Sequence, residues 1–193
     1  MASVIMLIFI LFQFAAAGVE YLGFDLVLSW KFPTETSVKF ELSMPLRYRE
    51  VFGWAGVAFQ DARDAKNKFK GDYYIAFLED GLMTDRYAEK NGYSLTDLEQ
   101  GGTYDLTVSS EVREDRFYVI FERLLVTPDI FDIELTKNRP VLVKYALGPV
   151  IDGFIEQHSM RYMGFEYIIL SEDYEDTNND ERFVYGPWLM SQT

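Results

Sequence analysis

The chain has no cysteine and a single histidine, His158, among its 193 residues. The absence of cysteine excludes disulfides, cysteine nucleophiles, iron–sulfur clusters and covalent c-type haem attachment. One imidazole is too few for the multi-histidine copper or zinc centres of oxygenases and hydrolases. His158 is therefore the first residue to consider for metal ligation, and it is the one side chain whose ordinary pKa lies near neutrality.

The chain also lacks the short motifs of several enzyme classes. It contains no G-x-G-x-x-G or Walker A sequence for phosphate binding, and no G-x-S-x-G elbow that would present a serine nucleophile. It does contain 31 acidic residues, and this abundance makes any single pair of carboxylates uninformative as a catalytic acid and base. We expect no catalysis by this chain alone and no metal site.

Positive charge is scarce, with 18 Lys and Arg residues and a formal net charge of −13. Binding to a phosphate backbone requires clustered Lys and Arg, so this balance argues against nucleic acid as a partner. It argues equally against anionic membrane surfaces. No Asn-x-Ser/Thr sequon is present, so no N-glycan is expected.

The first 17 residues have the composition of a targeting segment. An apolar run from Val4 to Phe14 is followed by three alanines, which are the small residues a signal peptidase needs. The run is too short to span a membrane comfortably. We predict a cleaved secretory signal over residues 1–17 and a secreted or secretory-pathway protein, with an uncleaved N-terminal anchor as the alternative. No later segment approaches twenty apolar residues, so no transmembrane span is expected in the mature chain.

Past this segment, apolar and polar residues alternate with a period of two. Val38, Phe40 and Leu42 alternate with polar residues, and two further alternating runs flank the Asp80-Gly81 turn. No helical pattern exceeds two turns. Many short strands with turn residues between them predict one all-β domain over residues 18–170, an antiparallel two-sheet immunoglobulin-like sandwich of about 9–11 strands.

Residues 171–193 differ in composition from this domain. They read as an acidic linker followed by an aromatic segment from Phe183 to Met190, which is a candidate edge strand or contact with a protein partner. Residues 176–180 resemble the start of an EF-hand loop. Glu181 stands where that loop needs glycine and Pro187 where it needs glutamate, which argues against calcium there.

The stretch around residues 121–158 is more specific than strand propensity requires. Arg123 ends an apolar strand, and Thr127, Asp129 and Asp132 follow at fixed offsets. A guanidinium and nearby carboxylates form strong charge-assisted hydrogen bonds. We therefore predict that Arg123, Asp129 and Asp132 fix a corner between the sheets, in a structural role.

Taken together, these motifs resemble the DOMON domain, the sandwich named from the N-terminal region of dopamine beta-monooxygenase. The resemblance covers roughly Tyr21 to Leu170. Its components, in chain order, are Leu28-Ser29-Trp30, Val38-x-Phe40-x-Leu42, Gly53-Trp54-x-Gly56-Val57-Ala58-Phe59, Gly71-Asp72, Asp85-Arg86-Tyr87, Arg123-x-Leu125-x-Thr127-x-Asp129-x-x-Asp132-x-x-Leu135, Val143-Lys144-Tyr145-Ala146-Leu147-Gly148, and His158 with Arg161.

The resemblance implies a sandwich that binds haem or sugars and serves in electron transfer or recognition. In haem-binding members a methionine and a histidine ligate a b-type iron. His158 stands at the matching histidine position, whereas Phe69 stands at the methionine position and cannot ligate iron. Loss of the methionine leaves either a haem bound by His158 alone or an aromatic-lined pocket.

The main functional prediction is a secreted recognition module that binds carbohydrate or another small ligand, with no cofactor. Trp54 is the candidate aromatic residue for sugar stacking. The alternative is a haem-binding, cytochrome-like redox domain that uses His158 as an axial ligand. The copper monooxygenase activity of the family's namesake is not expected, because its histidine-rich copper sites are absent from this sequence.

Overall fold

The computed structural model describes residues 18–90 and 94–173. Short strands dominate these residues, as alternation predicts, and the α-helix Asp97–Gln100 (α1) is a single turn. Three 3-10 turns lie at Leu46–Glu50, Ala62–Asp64 and Met160–Tyr162. The strands are β1 (Gly18–Tyr21), β2 (Val27–Thr34), β3 (Ser37–Pro45), β4 (Trp54–Asp61), β5 (Gly71–Phe77), β6 (Met83–Ala88), β7 (Leu95–Thr96), β8 (Thr107–Arg113), β9 (Arg116–Leu124), β10 (Pro140–Gly148), β11 (Val150–Ile151), β12 (Phe154–Ile155) and β13 (Met163–Ile169).

The strands form two main antiparallel sheets. A five-stranded sheet has the order β1-β2-β3-β9-β8, and a six-stranded sheet has the order β13-β10-β4-β5-β6-β7. Strands β11 and β12 pair as a separate two-stranded ribbon. The predicted all-β antiparallel sandwich is confirmed, and five plus six strands in the two sheets agree with the predicted range.

Aromatic rings fill the centre of the space between the two sheets. Phe40 on β3 lies 5.1 Å from Phe121 on β9 and 4.8 Å from Phe59 on β4, measured between ring centroids. Tyr74 on β5 packs on Phe121 at 5.1 Å. These rings bury large apolar areas, which supplies the packing free energy that a chain without disulfides needs.

The sequence also predicts strands that start at Phe24 and at Tyr104, and both strands begin later in the structure. Phe24 and Asp25 have positive φ angles of 64° and 56°, so the chain turns at these residues and β2 starts at Val27. The strand predicted from Tyr104 starts at Thr107. Strand β1 was not predicted, because its four residues directly follow the apolar run assigned to a signal.

The predicted β5–β6 hairpin is present. Gly81 adopts a φ of 76°, which glycine tolerates, and the Phe77 amide donates to the Leu82 carbonyl at 2.8 Å. The hairpin places Tyr74 opposite Asp85, so residues from the two strands share a face. The predicted signal (1–17) and the C-terminal segment beyond residue 173 lie outside the described residues.

Among the described residues, no helix has the length and hydropathy needed to cross a bilayer.

Candidate functional site

The six-stranded sheet turns one face to the core and one face outward. On β4, Ala55, Val57 and Phe59 belong to the core cluster. Successive side chains on a strand point to opposite faces, so Gly56 and Ala58 lie on the outer face. The outer face is the side on which the predicted ligand residues are found.

Small residues occupy the middle of this outer face. Gly56 pairs with Ala146 on β10 and with Ile75 on β5, and Ala58 pairs with Lys144 and Tyr73. Directly paired residues project to the same side of a sheet. Gly56, Ala58 and Ala146 therefore form a low surface, here called the floor, between larger neighbours.

His158 lies beside one end of the floor. Its ring packs edge-on against Trp54, with centroids 6.2 Å apart. Trp54 Nε1 donates to the Glu156 carbonyl at 2.9 Å, which holds the segment before His158 against the start of β4. Trp54 is the outward-facing residue of β4 next to Gly56, so His158 borders the floor on that side.

A hydrogen bond of His158 determines which ring nitrogen carries the proton. Nδ1 lies 3.2 Å from the Ser159 carbonyl oxygen. A carbonyl only accepts, so in the neutral ring Nδ1 is the donor and Nε2 keeps its lone pair. Histidines that ligate metals commonly have this arrangement, with the other ring nitrogen donating to a backbone carbonyl.

Phe69 lies at the opposite end of the floor. Tyr73 Oη donates to the Phe69 carbonyl at 2.7 Å, and Tyr73 is paired with Ala58. Four residues of β4, about 13 Å of strand, separate Trp54 from Ala58. The loop that carries Phe69 thus lies toward the Ala58 end of the floor, and His158 lies toward the Trp54 end.

Lys144 fixes the loop that carries Phe69. Its Nζ donates to the carbonyls of Lys68 at 3.0 Å and Lys70 at 2.6 Å, which ties the loop to β10. Burial lowers the pKa of Lys144 to about 8. The ammonium belongs to the residue paired with Ala58 of the floor and is suited to an acidic ligand group.

Exposed apolar side chains border the floor on the β13 side. Met163, Phe165 and Tyr167 alternate along β13 and share its outward face, since they pair with outward-facing residues of β10. Phe154 is 72% exposed and Met160 is 82% exposed, on the segment that leads to and follows His158. The three apolar side chains that share the outward face of β13 make this side of the floor a candidate binding surface.

The residues around the floor supply one axial ligand for a haem iron and not two. His158 offers a nitrogen lone pair beside a floor without bulky side chains. Phe69 offers no ligand atom on the opposite side. The donor set is therefore that of an iron held by one histidine, rather than by the His and Met pair of the haem-binding family members.

Trp54 is not placed to stack on a sugar. It is 5% exposed, and its indole nitrogen already bonds to Glu156. Its face is covered on the side where His158 packs. The structure gives Trp54 the role of supporting the His158 segment.

Arg123 lies in a second group of polar side chains, between the sheets. Its guanidinium donates to Asp72 Oδ2 at 2.6 Å and to the Ile133 carbonyl at 2.8 Å, and it also bonds to the Tyr74 hydroxyl. Asp132 forms an ion pair with it at 3.6 Å. Because Arg123 is on β9 and Asp72 on β5, this contact joins the two sheets.

Asp129 contacts a different part of the chain from Arg123. It accepts hydrogen bonds from the Thr103 amide, from Thr103 Oγ1 at 3.1 Å and from the Phe131 amide at 2.9 Å. These bonds hold its pKa below the ordinary value despite some burial. The predicted corner thus rests on Arg123 and Asp132, while Asp129 fastens the loop after α1.

The sequence did not predict the other buried carboxyl groups that lie between the sheets near Arg123. Asp72, Asp85 and Asp97 are all buried. A period-two pattern assigns aspartates to the solvent side, so alternation alone could not place them inside. The signal that could have found them is the resemblance, which includes Gly71-Asp72 and Asp85-Arg86-Tyr87.

Burial changes the ionisation of these carboxyl groups. Desolvation, together with the charges of the neighbouring carboxylates, raises the pKa of Asp85 to about 9. Desolvation also raises the pKa of Asp72 and Asp97 to about 7, although Arg123 opposes the effect at both. The pKa of Asp132 is raised by the same cause.

Comparison with known proteins finds likeness in structure and not in sequence. No family model and no curated protein matches the chain. A solved structure of the cytochrome b domain of pyranose dehydrogenase from Coprinopsis cinerea matches with a TM-score of 0.56 and 10% identity, covering 83% of this chain and 85% of that one. The cytochrome domain of cellobiose dehydrogenase from Myriococcum thermophilum matches with a TM-score of 0.51 and 14% identity, covering 80% of each chain.

The fold is similar to that of these two cytochrome domains. At these identities the likeness shows the fold alone. The expectation that the chain takes no cofactor gains no support, because both neighbours are cytochrome domains.

Proposed function

We propose that this chain is a haem-binding electron-transfer module in which His158 ligates the iron. The observation that carries the proposal is the position of His158, with Nε2 as the nitrogen holding a lone pair, at the edge of the floor. The likeness to two cytochrome domains supports the same function. This proposal takes the alternative prediction from the sequence in preference to the main one.

A bound haem supplies a one-electron redox centre, and the protein supplies its binding and environment. His158 would hold the iron through Nε2. Trp54 positions His158 by packing on its ring, and Ser159 fixes the ring tautomer. The exposed apolar side chains beside β13 would exclude water from one edge of the ligand, and Lys144 would offer a cation to its acidic groups.

The absence of a sulfur ligand at Phe69 sets the expected character of the site. A Met/His pair raises the reduction potential of haem iron, whereas a single histidine leaves one axial position without a protein ligand. The proposed centre therefore has a lower potential than a Met/His centre of the same fold. Its exchange partner would be another redox protein or domain, because the chain carries no catalytic motif of its own.

The carbohydrate-binding alternative has no comparable support. Trp54, the candidate for sugar stacking, is only 5% exposed. Membership of the DOMON family, secretion of the mature chain and a partner contact through Phe183 to Met190 stay predictions from the sequence.

The test is a titration of the purified mature protein with haemin, followed by visible absorbance. We expect a saturable Soret shift in the wild type and a loss of affinity of at least about 100-fold in His158→Ala, since removing even an outer-shell partner of a metal ligand costs 10–100-fold. The neighbouring exposed Gln157→Ala is the matched control and keeps wild-type binding. A wild type without a saturable shift contradicts the proposal.

A further inference from the structure

A compact group of acidic side chains lies between the sheets, away from the floor. One carboxylate oxygen from each of Asp72, Asp85 and Asp132 lies within 4.8 Å of the other two. The three come from β5, from β6 and from the connection between β9 and β10. We call Asp72, Asp85 and Asp132 the carboxylate cluster.

The carboxylate cluster contains buried oxygens without hydrogen-bond partners. Asp85 is 3% exposed, and neither of its carboxylate oxygens has a partner among the described residues. The same holds for both oxygens of the buried Asp97 and for Oδ1 of Asp72. A buried polar atom left unpaired costs about 1–3 kcal/mol, and more if it is charged, so these oxygens need a proton or a cation.

One guanidinium does not satisfy this group. Every nitrogen of Arg123 already has a hydrogen-bond acceptor: Asp72 within the cluster, and Tyr74 and the carbonyls of Leu124 and Ile133 outside it. None of these bonds goes to Asp85. In the ionised state, three carboxylates beside one guanidinium leave two negative charges uncompensated, and Asp97 adds a further carboxyl nearby. Without a cation, the raised pKa of Asp85 keeps that carboxyl protonated at neutral pH.

We propose that Asp72, Asp85 and Asp132 bind a divalent cation of the calcium type. Carboxylate oxygens are the ligands that hard cations prefer, and a divalent charge balances the cluster together with Arg123. Calcium takes six to eight oxygen ligands at about 2.3–2.6 Å in a flexible geometry, so it can contact three carboxylate oxygens that lie within 4.8 Å of one another. Magnesium loses its water ligands reluctantly and demands near-ideal octahedral geometry, which suits a buried group of carboxylates less well.

The cation would act as a structural clamp. Asp72 and Asp85 belong to the β5–β6 hairpin, and Asp132 belongs to the connection that Arg123 also contacts. Binding would therefore fasten this connection to the hairpin at one end of the sandwich. The inference does not depend on haem, since the cluster lies on the core side of the sheet and His158 on the outer side.

The experiment uses the full chain freed of metal with EDTA. Terbium is the first probe, because Tyr74 donates to Asp72 at 2.6 Å and is close enough to sensitise terbium emission from the cluster. Calcium is the second probe, added while the thermal unfolding midpoint is followed. We expect terbium emission that calcium displaces, and a midpoint that rises with calcium and falls again with EDTA.

Variants separate the cluster from other acidic groups. Asp85→Asn should weaken calcium binding by at least about tenfold, because affinity follows the number of charged ligands. Asp115→Asn removes an exposed carboxylate from the β8–β9 turn, and Asp176→Asn disrupts the EF-hand-like sequence; both should bind calcium as the wild type does. Asp85→Asn removes an unpartnered buried carboxylate, so it should fold at least as stably as the metal-free wild type.

Two results would overturn the inference. One is a wild type whose unfolding midpoint responds to neither calcium nor magnesium, which would mean that protons alone satisfy the cluster. The other is calcium binding that Asp85→Asn and Asp132→Asn leave unchanged. Haem binding is measured separately, so a negative result for calcium does not contradict the haem proposal, and a negative result for haem does not contradict the calcium proposal.

Discussion

At the scale of single residues, Phe69 is the position that distinguishes this chain from the haem-binding members it resembles. Its side chain carries no atom that can ligate iron. The resemblance predicted this pairing of Phe69 with His158. The floor between them could not be predicted, because Gly56, Ala58 and Ala146 become neighbours only through the register of β4 and β10.

Replacement of Phe69 by methionine tests whether a side chain at position 69 can reach the haem iron as a second axial ligand. We expect Phe69→Met to convert the haemin complex from a five-coordinate to a six-coordinate spectrum and to raise its midpoint potential by the order of 100 mV, because a thioether ligand favours reduced iron. Potentiometric titration with visible spectra measures both. Phe69→Leu, which changes the ring without adding sulfur, is the control and should leave the spectrum five-coordinate.

Arg123 is the residue whose loss should cost most stability. Arg123→Met leaves Asp72 and Asp132 buried without their cation, and breaking a buried pair in this way costs about 3–5 kcal/mol. Arg47→Met removes an exposed ion pair with Asp25 and should cost less than about 1 kcal/mol. Chemical denaturation gives both values. Equal losses in the two variants would show that the Arg123 contact is not a major tie between the sheets.

At the scale of secondary-structure elements, alternation predicted most strands and failed at specific places. It identified β3, β4 and the β5–β6 hairpin because their apolar residues recur every second position. It did not identify β1, a four-residue edge strand. It also could not show that Asp72 and Asp85 face inward, because their burial depends on Arg123, which reaches them from the opposite sheet.

The raised pKa values on β5, β6 and α1 predict an unusual pH dependence of stability. The pKa of Asp85 rises from 3.8 to about 9 on folding, so between these values the folded state holds a proton that the unfolded state has lost. Unfolding then releases that proton. The free energy of unfolding should therefore fall as pH rises, by up to about 1.4 kcal/mol per pH unit for this one group.

The groups that face Asp85 contribute to the same profile. Asp72 and Asp97, with pKa values raised to about 7, add to the fall, and Asp132 acts in the same direction. Arg123 remains charged throughout. Unfolding in EDTA at a series of pH values, for the wild type and Asp85→Asn, measures the effect. A wild-type profile no steeper than that of the variant would contradict the assignment of the shift to Asp85.

At the scale of the whole molecule, the fold is an antiparallel sandwich similar to two cytochrome domains. The proposed function rests on one residue, His158. Composition had already excluded nucleic-acid binding and multi-histidine metal centres as expectations. It could not choose between a sugar and a haem, because that choice depends on whether Trp54 is exposed and where His158 lies. In the structure Trp54 is buried and packs on the His158 ring.

The most direct measurement is the rescue of a His158→Gly variant by free imidazole, followed in the visible spectrum after addition of haemin. If His158 Nε2 ligates the iron, the variant should bind haemin weakly, and imidazole should restore the wild-type Soret band in a saturable manner. Gln157→Gly, treated identically, should show the wild-type band without imidazole. A His158→Gly variant whose haemin spectrum equals that of the wild type before imidazole is added would contradict the central claim.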